Sequence, residues 1–224
     1  MMDTTTLLLI AWGTLVGVDL IAGPQVMVAR PLVAATVTGL IVGDVTTGAA
    51  IGLMLELFAW DVLPFGAARY PDYGVGAMAG VWTAAHAPGV LGIGVAVCVS
   101  LLIAHLGEWT VQLVRHLNSA DLKRNSDRLD DGEYAAARNL HLRGIAREIL
   151  RAVALVGIGL ALGSGVHRYL PHNVQSAIAA TVIASGVAVG VGFASGVRLA
   201  GSARPKQLWY VAGVTIGVTW VLIR

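Results

Sequence analysis

Carboxylates set within apolar sequence constrain this chain more than any other feature. Residues 30–72 contain two short apolar runs that meet at Gly43-Asp44, and Asp44, Glu56 and Asp61 lie within these runs or at their edge. A carboxylate at the centre of a bilayer costs about 2.5–3.5 kcal/mol, so three of them facing lipid would cost roughly 8–10 kcal/mol. The pattern therefore predicts a polar site enclosed within a membrane protein.

The composition agrees with a membrane chain. Hydrophobic residues make up 56% of the 224 residues and charged residues 12%, which is about half the charge of an average soluble domain. The length predicts one multi-pass membrane domain, residues 1–224, with roughly six spans of about 20 residues each. The net charge of +2 does not favour nucleic acid as a partner, and the single cysteine excludes an internal disulfide.

Two apolar runs in the central stretch are too short to cross a membrane alone. Residues 31–43 and 45–60 would each form about 20–24 Å of helix, whereas a hydrocarbon core is roughly 30 Å thick. They form either one long helix bent at Gly43-Asp44 or two half-helices of a broken or re-entrant element. Asp44 is suited to cap the second piece in either case.

The next apolar run is too long for a single span. It covers residues 73–107, and we place a break at Ala87-Pro88-Gly89. Glycines at four-residue spacing recur along the whole chain, which lets helix backbones approach closely in lipid. We therefore expect an all-α, polytopic membrane protein, a glycine-rich helix bundle with broken or re-entrant helices around residues 31–107.

Two further carboxylates require an explanation. Asp19 near the end of the first apolar run is expected at the membrane interface or as a cap on a neighbouring helix. Asp72 follows a segment with two prolines, residues 64–71, and such backbone is tolerated at membrane depth only inside protein or along a wet cavity. Arg69 is the nearest possible counter-ion of Asp72 in the sequence.

Residues 115–151 form the one long hydrophilic segment. It carries eight of the fifteen Lys and Arg residues, so we expect it to be a cytoplasmic loop, with an amphipathic helix over residues 133–150. Arg143, Arg147 and Arg151 recur every four residues and are expected to form one cationic stripe. The stripe would anchor the helix among lipid headgroups, dock a soluble partner, or do both.

The sequence offers no catalytic chemistry of its own. It contains no set of His, Cys and carboxylate residues at metal-ligand spacing, no nucleophile–base pair and no phosphate-binding loop. We therefore expect neither an enzyme nor a metal site.

Several short motifs in residues 30–72 share their order and spacing with a known family, including the sixteen positions from Glu56 to Asp72. The motifs are Arg30-Pro-Leu-Val, Thr38-Gly-Leu-Ile-Val-Gly-Asp44, Thr47-Gly48, Ile51-Gly52, Leu55-Glu56-Leu57, Gly66-Ala67-Ala68 and Pro71-Asp72. Together they resemble the membrane-spanning C component of the mannose/fructose/sorbose-type sugar phosphotransferase system. A softer match covers most of residues 10–200.

The resemblance implies a permease subunit that binds a hexose-like sugar and carries it inward, where a phosphohistidine of the B component phosphorylates it. The implied partners are a homologous membrane D component and soluble A and B phosphocarriers, in an oligomeric complex of the bacterial cytoplasmic (inner) membrane, with no cofactor. Glu56 and Asp72 become the leading sugar contacts, since a carboxylate can accept two sugar O–H bonds at once. Asp44, Gln25 and Arg30 are further candidates.

The sequence also departs from the family pattern. Family members often carry an acidic pair and a histidine just before the Arg-Pro motif, where this chain has Pro24, Gln25 and Ala29. A second function therefore stays open: a family-derived membrane protein without sugar uptake, acting as a regulatory or assembly subunit or as a passive facilitator.

Overall fold

The part of the chain that the structure describes is helical and contains no strand. This computed structural model describes residues 3–23, 25–60, 69–86 and 90–166, with six further positions between 212 and 223. The helices are α1 (Thr4–Asp19), α2 (Pro31–Val42), α3 (Val45–Ala59), α4 (Tyr73–His86), α5 (Val90–Arg124), α6 (Ser126–Asp130) and α7 (Tyr134–Val166). The expectations for Asp61, for the break at residues 87–89 and for the apolar runs after residue 166 lie outside the described residues.

Helices α2 and α3 form a tight antiparallel hairpin. Gly43 ends α2 in the left-handed conformation, at φ 87°, which glycine adopts without a steric penalty. A Cβ atom on Gly48 would lie 2.6 Å from the carbonyl oxygen of Ala35 and 3.0 Å from the Cα of Gly39. The backbones of the two helices are therefore in direct contact, and of the two alternatives the structure selects paired half-helices rather than one long bent helix.

Helix α4 occupies the centre of the bundle. Its residues from Tyr73 to Val81 are all buried, and α1, α2, α3, α5 and α7 all pack around it. Helix α4 is antiparallel to α1 and α5. It is parallel to α7, where Ala79 contacts Gly159. Glycines and alanines on α4 permit these close contacts, because small residues let two helix backbones approach each other.

Helices α5 and α7 are longer than the hydrocarbon core of a bilayer is thick. They contain 35 and 33 residues, about 50 Å of helix each, and among the described residues they are the two helices long and apolar enough to span a membrane. The hydrophilic segment is therefore not a loop with one helix: it is a stalk (residues 115–151) made of the ends of both helices joined by α6. Helical propensity continues across the change in polarity, so the predicted helix 133–150 and the span that follows it are one helix.

The tip of the stalk is closed by an ion pair. The Nε and Nη2 groups of Arg128 donate to the two carboxylate oxygens of Glu133, at 2.6 and 2.5 Å. This hydrogen bonding holds the pKa of Glu133 below its usual value. The pair spans the turn immediately before α7 begins.

Candidate functional site

A buried carboxylate shapes the connection between α1 and α2. Asp19 is 3% exposed, and its Oδ1 and Oδ2 atoms accept hydrogen bonds from the backbone N–H groups of Val26 (2.9 Å) and Ala29 (3.3 Å). Gln25 and Met27 both adopt positive φ, at 54° and 69°. Asp19 thus binds backbone donors of a loop rather than capping a neighbouring helix. This loop leads into α2.

Glu56 on α3 lies against the first turn of α2. Its Oε1 accepts a hydrogen bond from Nη1 of Arg30 at 3.2 Å, and its Oε2 accepts one from the N–H of Leu32 at 3.2 Å. The carboxylate therefore satisfies a backbone donor at the positive end of α2 and pairs with Arg30. The Glu56 side chain remains 16% exposed and that of Arg30 33% exposed, so both are within reach of a ligand.

Tyr70 adds an aromatic hydroxyl to this region. It is buried, stacks edge-on against Tyr73 with ring centroids 5.6 Å apart, and lies within electrostatic reach of Arg30, Glu56 and Asp72. Sequence reasoning missed Tyr70, because a lone tyrosine between two prolines carries no motif.

Asp72 has no exposed surface. Its Oδ1 accepts a hydrogen bond from the N–H of Val75 at 3.2 Å, which caps α4, and its Oδ2 accepts one from Nη1 of Arg151 at 3.0 Å. The Asp72 N–H donates to the carbonyl of Ala104 at 2.9 Å. The nearest possible counter-ion in the sequence, Arg69, is exposed, and Arg151 from α7 forms the ion pair with Asp72 instead.

Arg151 is the centre of a buried ion cluster (Arg151, Asp72, Glu148). Its Nε donates to Oε2 of Glu148 at 2.6 Å, its Nη1 to Asp72, and its Nη2 to the carbonyl of Gly17 at 3.0 Å. The side chain is 3% exposed, which contradicts its expected place on an exposed docking stripe. The cluster joins α1, α4 and α7 at a single point.

The other two arginines of the expected stripe have separate environments. Arg147 donates from Nη1 to Oδ1 of Asn118 at 2.8 Å and from Nη2 to Oδ2 of Asp121 at 2.7 Å, so it joins α7 to α5. Arg143 is exposed. The three side chains therefore do not form one surface.

The remaining candidates lie apart from one another. Asp44 is exposed at the tip of the α2–α3 hairpin, where its Oδ1 accepts from the N–H of Thr47 at 3.0 Å. The twelve residues of α2 separate it from the Arg30–Glu56 pair by about 18 Å. Gln25 is exposed in the connecting loop. Of the five predicted contact residues, the structure brings only Arg30 and Glu56 into direct contact.

Within the described residues no three His, Cys, Asp or Glu side chains are grouped as a metal site would require. The site is thus a carboxylate–guanidinium pair beside a tyrosine, at the open end of a helical hairpin, and a second, fully buried ion cluster lies behind it. Paired half-helices with polar groups at their ends are the arrangement that membrane carriers use for polar substrates.

Comparisons with known proteins give the family. A sequence profile described as the sorbose-specific IIC component of the phosphotransferase system matches residues 4–217. The mannose-specific EIIC component of Escherichia coli (strain K12) is 28% identical over 195 residues, which cover 85% of this chain and 71% of the relative. The fructose permease IIC component of Bacillus subtilis (strain 168) is 27% identical over 183 residues, 81% of this chain and 67% of the relative.

Solved structures share the fold. A chain titled as the structure of a membrane protein aligns with a TM-score of 0.70 and 23% identity, over 100% of this chain and 93% of that one. A chain from the cryo-EM structure of the mannose transporter ManYZ with microcin E492 aligns with a TM-score of 0.58 and 22% identity, over 100% and 95%.

The fold and the comparisons together define an integral membrane protein of the transporter class, which confirms the expected all-α membrane fold. This chain belongs to the sorbose-type C-component family of the sugar phosphotransferase system. It is a permease subunit, and phosphorylation belongs to other components of the system.

Proposed function

We propose that this subunit binds a hexose-like sugar at the Arg30–Glu56 pair and carries it inward for phosphorylation by a partner B component. The supporting observation is a carboxylate that is held in place and still partly accessible. A carboxylate has about four lone-pair sites, and two protein donors reach Glu56. Sugar hydroxyls donate to the remaining positions, while Arg30 is paired with Glu56 and Tyr70 lies within electrostatic reach of both.

The site is tested by changing Glu56 to glutamine. The variant keeps the shape of the side chain but loses its charge, and we expect sugar affinity to fall about tenfold, since hydrogen bonds to charged groups contribute about 1.5–3 kcal/mol. The measurement is equilibrium binding of radiolabelled mannose, fructose and sorbose to the purified protein with its membrane partner.

The matched control is Asp44→Asn at the far tip of the hairpin. It makes the same acid-to-amide change and keeps a side chain that caps helices well, so sugar affinity should stay within about twofold of the parent. Parent-like binding by Glu56→Gln, with assembly intact, would remove Glu56 from the site.

We assign Asp72 a positioning role instead of a sugar contact. Its two carboxylate oxygens are occupied by the N–H of Val75 and by Arg151, and it has no surface from which to reach a ligand. Through the backbone it sets the start of α4, three residues after Tyr70. It thus acts on the site through the position of the tyrosine.

The stalk is proposed to lie in the cytoplasm, because positive residues near span ends favour that side. Ser126 at the tip of the stalk is exposed and close in size to cysteine. In a Cys98→Ala background, Ser126→Cys should resist a membrane-impermeant thiol reagent in intact bacterial cells and react with it after lysis. Labelling of intact cells to the lysate level would reverse the proposed orientation.

The remaining assignments follow from the family. We propose residence in the bacterial inner membrane, an oligomeric complex with a homologous D component, and contact with soluble A and B components at the stalk. Exposed Arg143 stays a docking residue in this proposal, whereas Arg147 and Arg151 are engaged inside the protein. No cofactor is needed for these steps.

The alternative function is a membrane subunit without sugar uptake. The departures from the family pattern at Pro24, Gln25 and Ala29 leave this function open. The two functions differ in one measurement. Saturable binding of any sugar in the panel, weakened by Glu56→Gln, supports the permease, whereas a complex that assembles and binds no sugar supports the alternative.

A further inference from the structure

Asp19 is a buried carboxylate that the proposed sugar site does not use. It is the last residue of α1, and both of its oxygens accept hydrogen bonds from backbone N–H groups, Oδ1 from Val26 and Oδ2 from Ala29. Among the described residues it forms no ion pair, in contrast to Asp72 and Glu148. Asp19 therefore holds backbone and does not balance a neighbouring charge.

The two backbone donors explain why the residue is a carboxylate. Asparagine has the same shape but only one acceptor oxygen, and its NH2 group would face one of the two N–H groups. Two donors that face each other in a buried place leave a polar group without an acceptor, which is costly. A buried charge at Asp19 is thus explained by the two N–H groups that the following loop presents to it.

The segment held by Asp19 (residues 25–29) has a backbone conformation that its own sequence does not favour. Gln25 and Met27 lie at φ 54° and 69°, in the left-handed region that residues other than glycine rarely adopt. Both side chains are exposed, so packing does not hold them there. Such conformations persist where surrounding contacts enforce them. The hydrogen bonds from Val26 and Ala29 to Asp19 are contacts of this kind.

The held segment ends at the sugar site. Ala29 directly precedes Arg30, and it has close neighbours on two helices. Its N–H donates to Asp19 at the end of α1. Its carbonyl oxygen lies so close to α4 that a Cβ atom on Gly74 would be 2.5 Å from it. The backbone position from which the Arg30 side chain reaches Glu56 is therefore defined by α1 and α4.

The end of α1 is itself in close contact with α7. The carbonyl of Gly17 accepts a hydrogen bond from Nη2 of Arg151 at 3.0 Å, and a Cβ atom on Gly17 would lie 2.7 Å from the Cβ of Ala152. Asp19 follows Gly17 by two residues, so its carboxylate is carried by a helix end that is packed against α7.

We propose that Asp19 is a positioning residue for sugar binding: it holds residues 25–29 so that the guanidinium of Arg30 meets Glu56 on α3. The inference rests on the proposed function, since it concerns the same Arg30–Glu56 pair. Asp19 does not touch the sugar and acts through the backbone that leads to Arg30. Helix α1 thereby sets the geometry of a site whose sugar contacts lie on other parts of the chain.

The first test is Asp19→Asn, with equilibrium binding of radiolabelled mannose, fructose and sorbose to the purified protein with its membrane partner. We expect sugar affinity to fall about fivefold, because apparent affinity falls with the fraction of molecules in the binding-competent conformation. Asp3→Asn is the matched control. Asp3 caps the other end of α1 through the N–H of Thr6, and asparagine also caps helices well, so affinity should stay within about twofold of the parent. Parent-like affinity of Asp19→Asn, where Glu56→Gln weakens binding, would overturn the positioning role and leave the sugar site standing.

A double-mutant cycle tests whether Asp19 acts through Arg30. Lysine in place of Arg30 keeps a positive charge but loses the planar guanidinium whose position is at issue. In the Arg30→Lys background, Asp19→Asn should lower sugar affinity by less than about twofold, since the effects of coupled residues are not additive. A role in stability alone would give the same loss of affinity in both backgrounds, and that result would overturn the proposal.

Hydrogen exchange of the parent protein supplies a readout that needs no substitution. If opening of residues 25–29 weakens sugar binding, bound sugar must oppose that opening by linkage. The amides of Val26 and Ala29 should therefore exchange severalfold more slowly at a saturating sugar concentration, whereas the amide of Thr6 at the far end of α1 should be unchanged. Equal exchange of the Val26 and Ala29 amides with and without bound sugar would show that the segment and the site are independent, and the positioning role would be rejected.

Discussion

Replacing Arg151 with methionine should lower the free energy of unfolding by about 3–5 kcal/mol, because the change leaves two buried carboxylates without a counter-ion. Asp72 and Glu148 are 0% and 3% exposed, so water cannot take over the role of the guanidinium. The measurement is thermal unfolding of the purified protein in detergent, followed by loss of helical circular dichroism.

A triple variant separates the charge from the packing. Arg151→Met combined with Asp72→Asn and Glu148→Gln removes all three charges while keeping similar side-chain volumes, and Asn still caps α4. We expect it to recover at least half of the lost stability, because replacing a whole buried ion cluster costs much less than breaking it. Arg143→Met, at an exposed position, should change stability by no more than about 0.5 kcal/mol. A triple variant no more stable than Arg151→Met would show that the cluster is not held by charge.

Gly48→Leu should disrupt the α2–α3 hairpin at a cost of about 3 kcal/mol, the upper end of the usual range for overpacking. The backbone atoms of Ala35 and Gly39 lie within 3.0 Å of the position that a Cβ would take, and backbone cannot move aside as a flexible side chain can. The same substitution at Gly157 has open space around it and should leave stability within about 1 kcal/mol of the parent.

The consequence for the sugar site can be measured in the same sample. Because Glu56 reaches Arg30 and Leu32 only while α3 packs on α2, opening the hairpin should abolish sugar binding along with stability. Gly48→Leu with the stability and sugar affinity of Gly157→Leu would show that the two helices do not need this contact.

The α2–α3 hairpin could be predicted because the residues that define it are neighbours in the sequence. Two runs of 13 and 16 residues around Gly43-Asp44 are too short for spans, and the glycine and the capping aspartate mark the turn between them. The helices begin and end within a residue of the expected positions. Sequence alone left open whether they continue as one bent helix, since that depends on the contact between Gly39 and Gly48.

The partner of Asp72 could not be predicted because it lies far from Asp72 in the sequence. Arg69 is the nearest possible counter-ion in the sequence, whereas the observed partner, Arg151, lies 79 residues after Asp72. The four-residue spacing of Arg143, Arg147 and Arg151 was also misleading. Each step of four residues turns an α-helix by about 40°. The side chains of Arg143 and Arg151 therefore point in directions that differ by about 80°. Of the three arginines, only Arg151 meets α1 and α4.

The buried ion cluster also sets an order of events during synthesis. At about 5–20 residues per second, the ribosome needs roughly 4–16 s to extend the chain from Asp72 to Arg151. During that interval Asp72 lacks the guanidinium of Arg151, and burying an unpaired carboxylate away from water is costly. We expect the start of α4 to remain at the aqueous boundary until α7 has been made, so that the central helix of the bundle is among the last to reach its final depth.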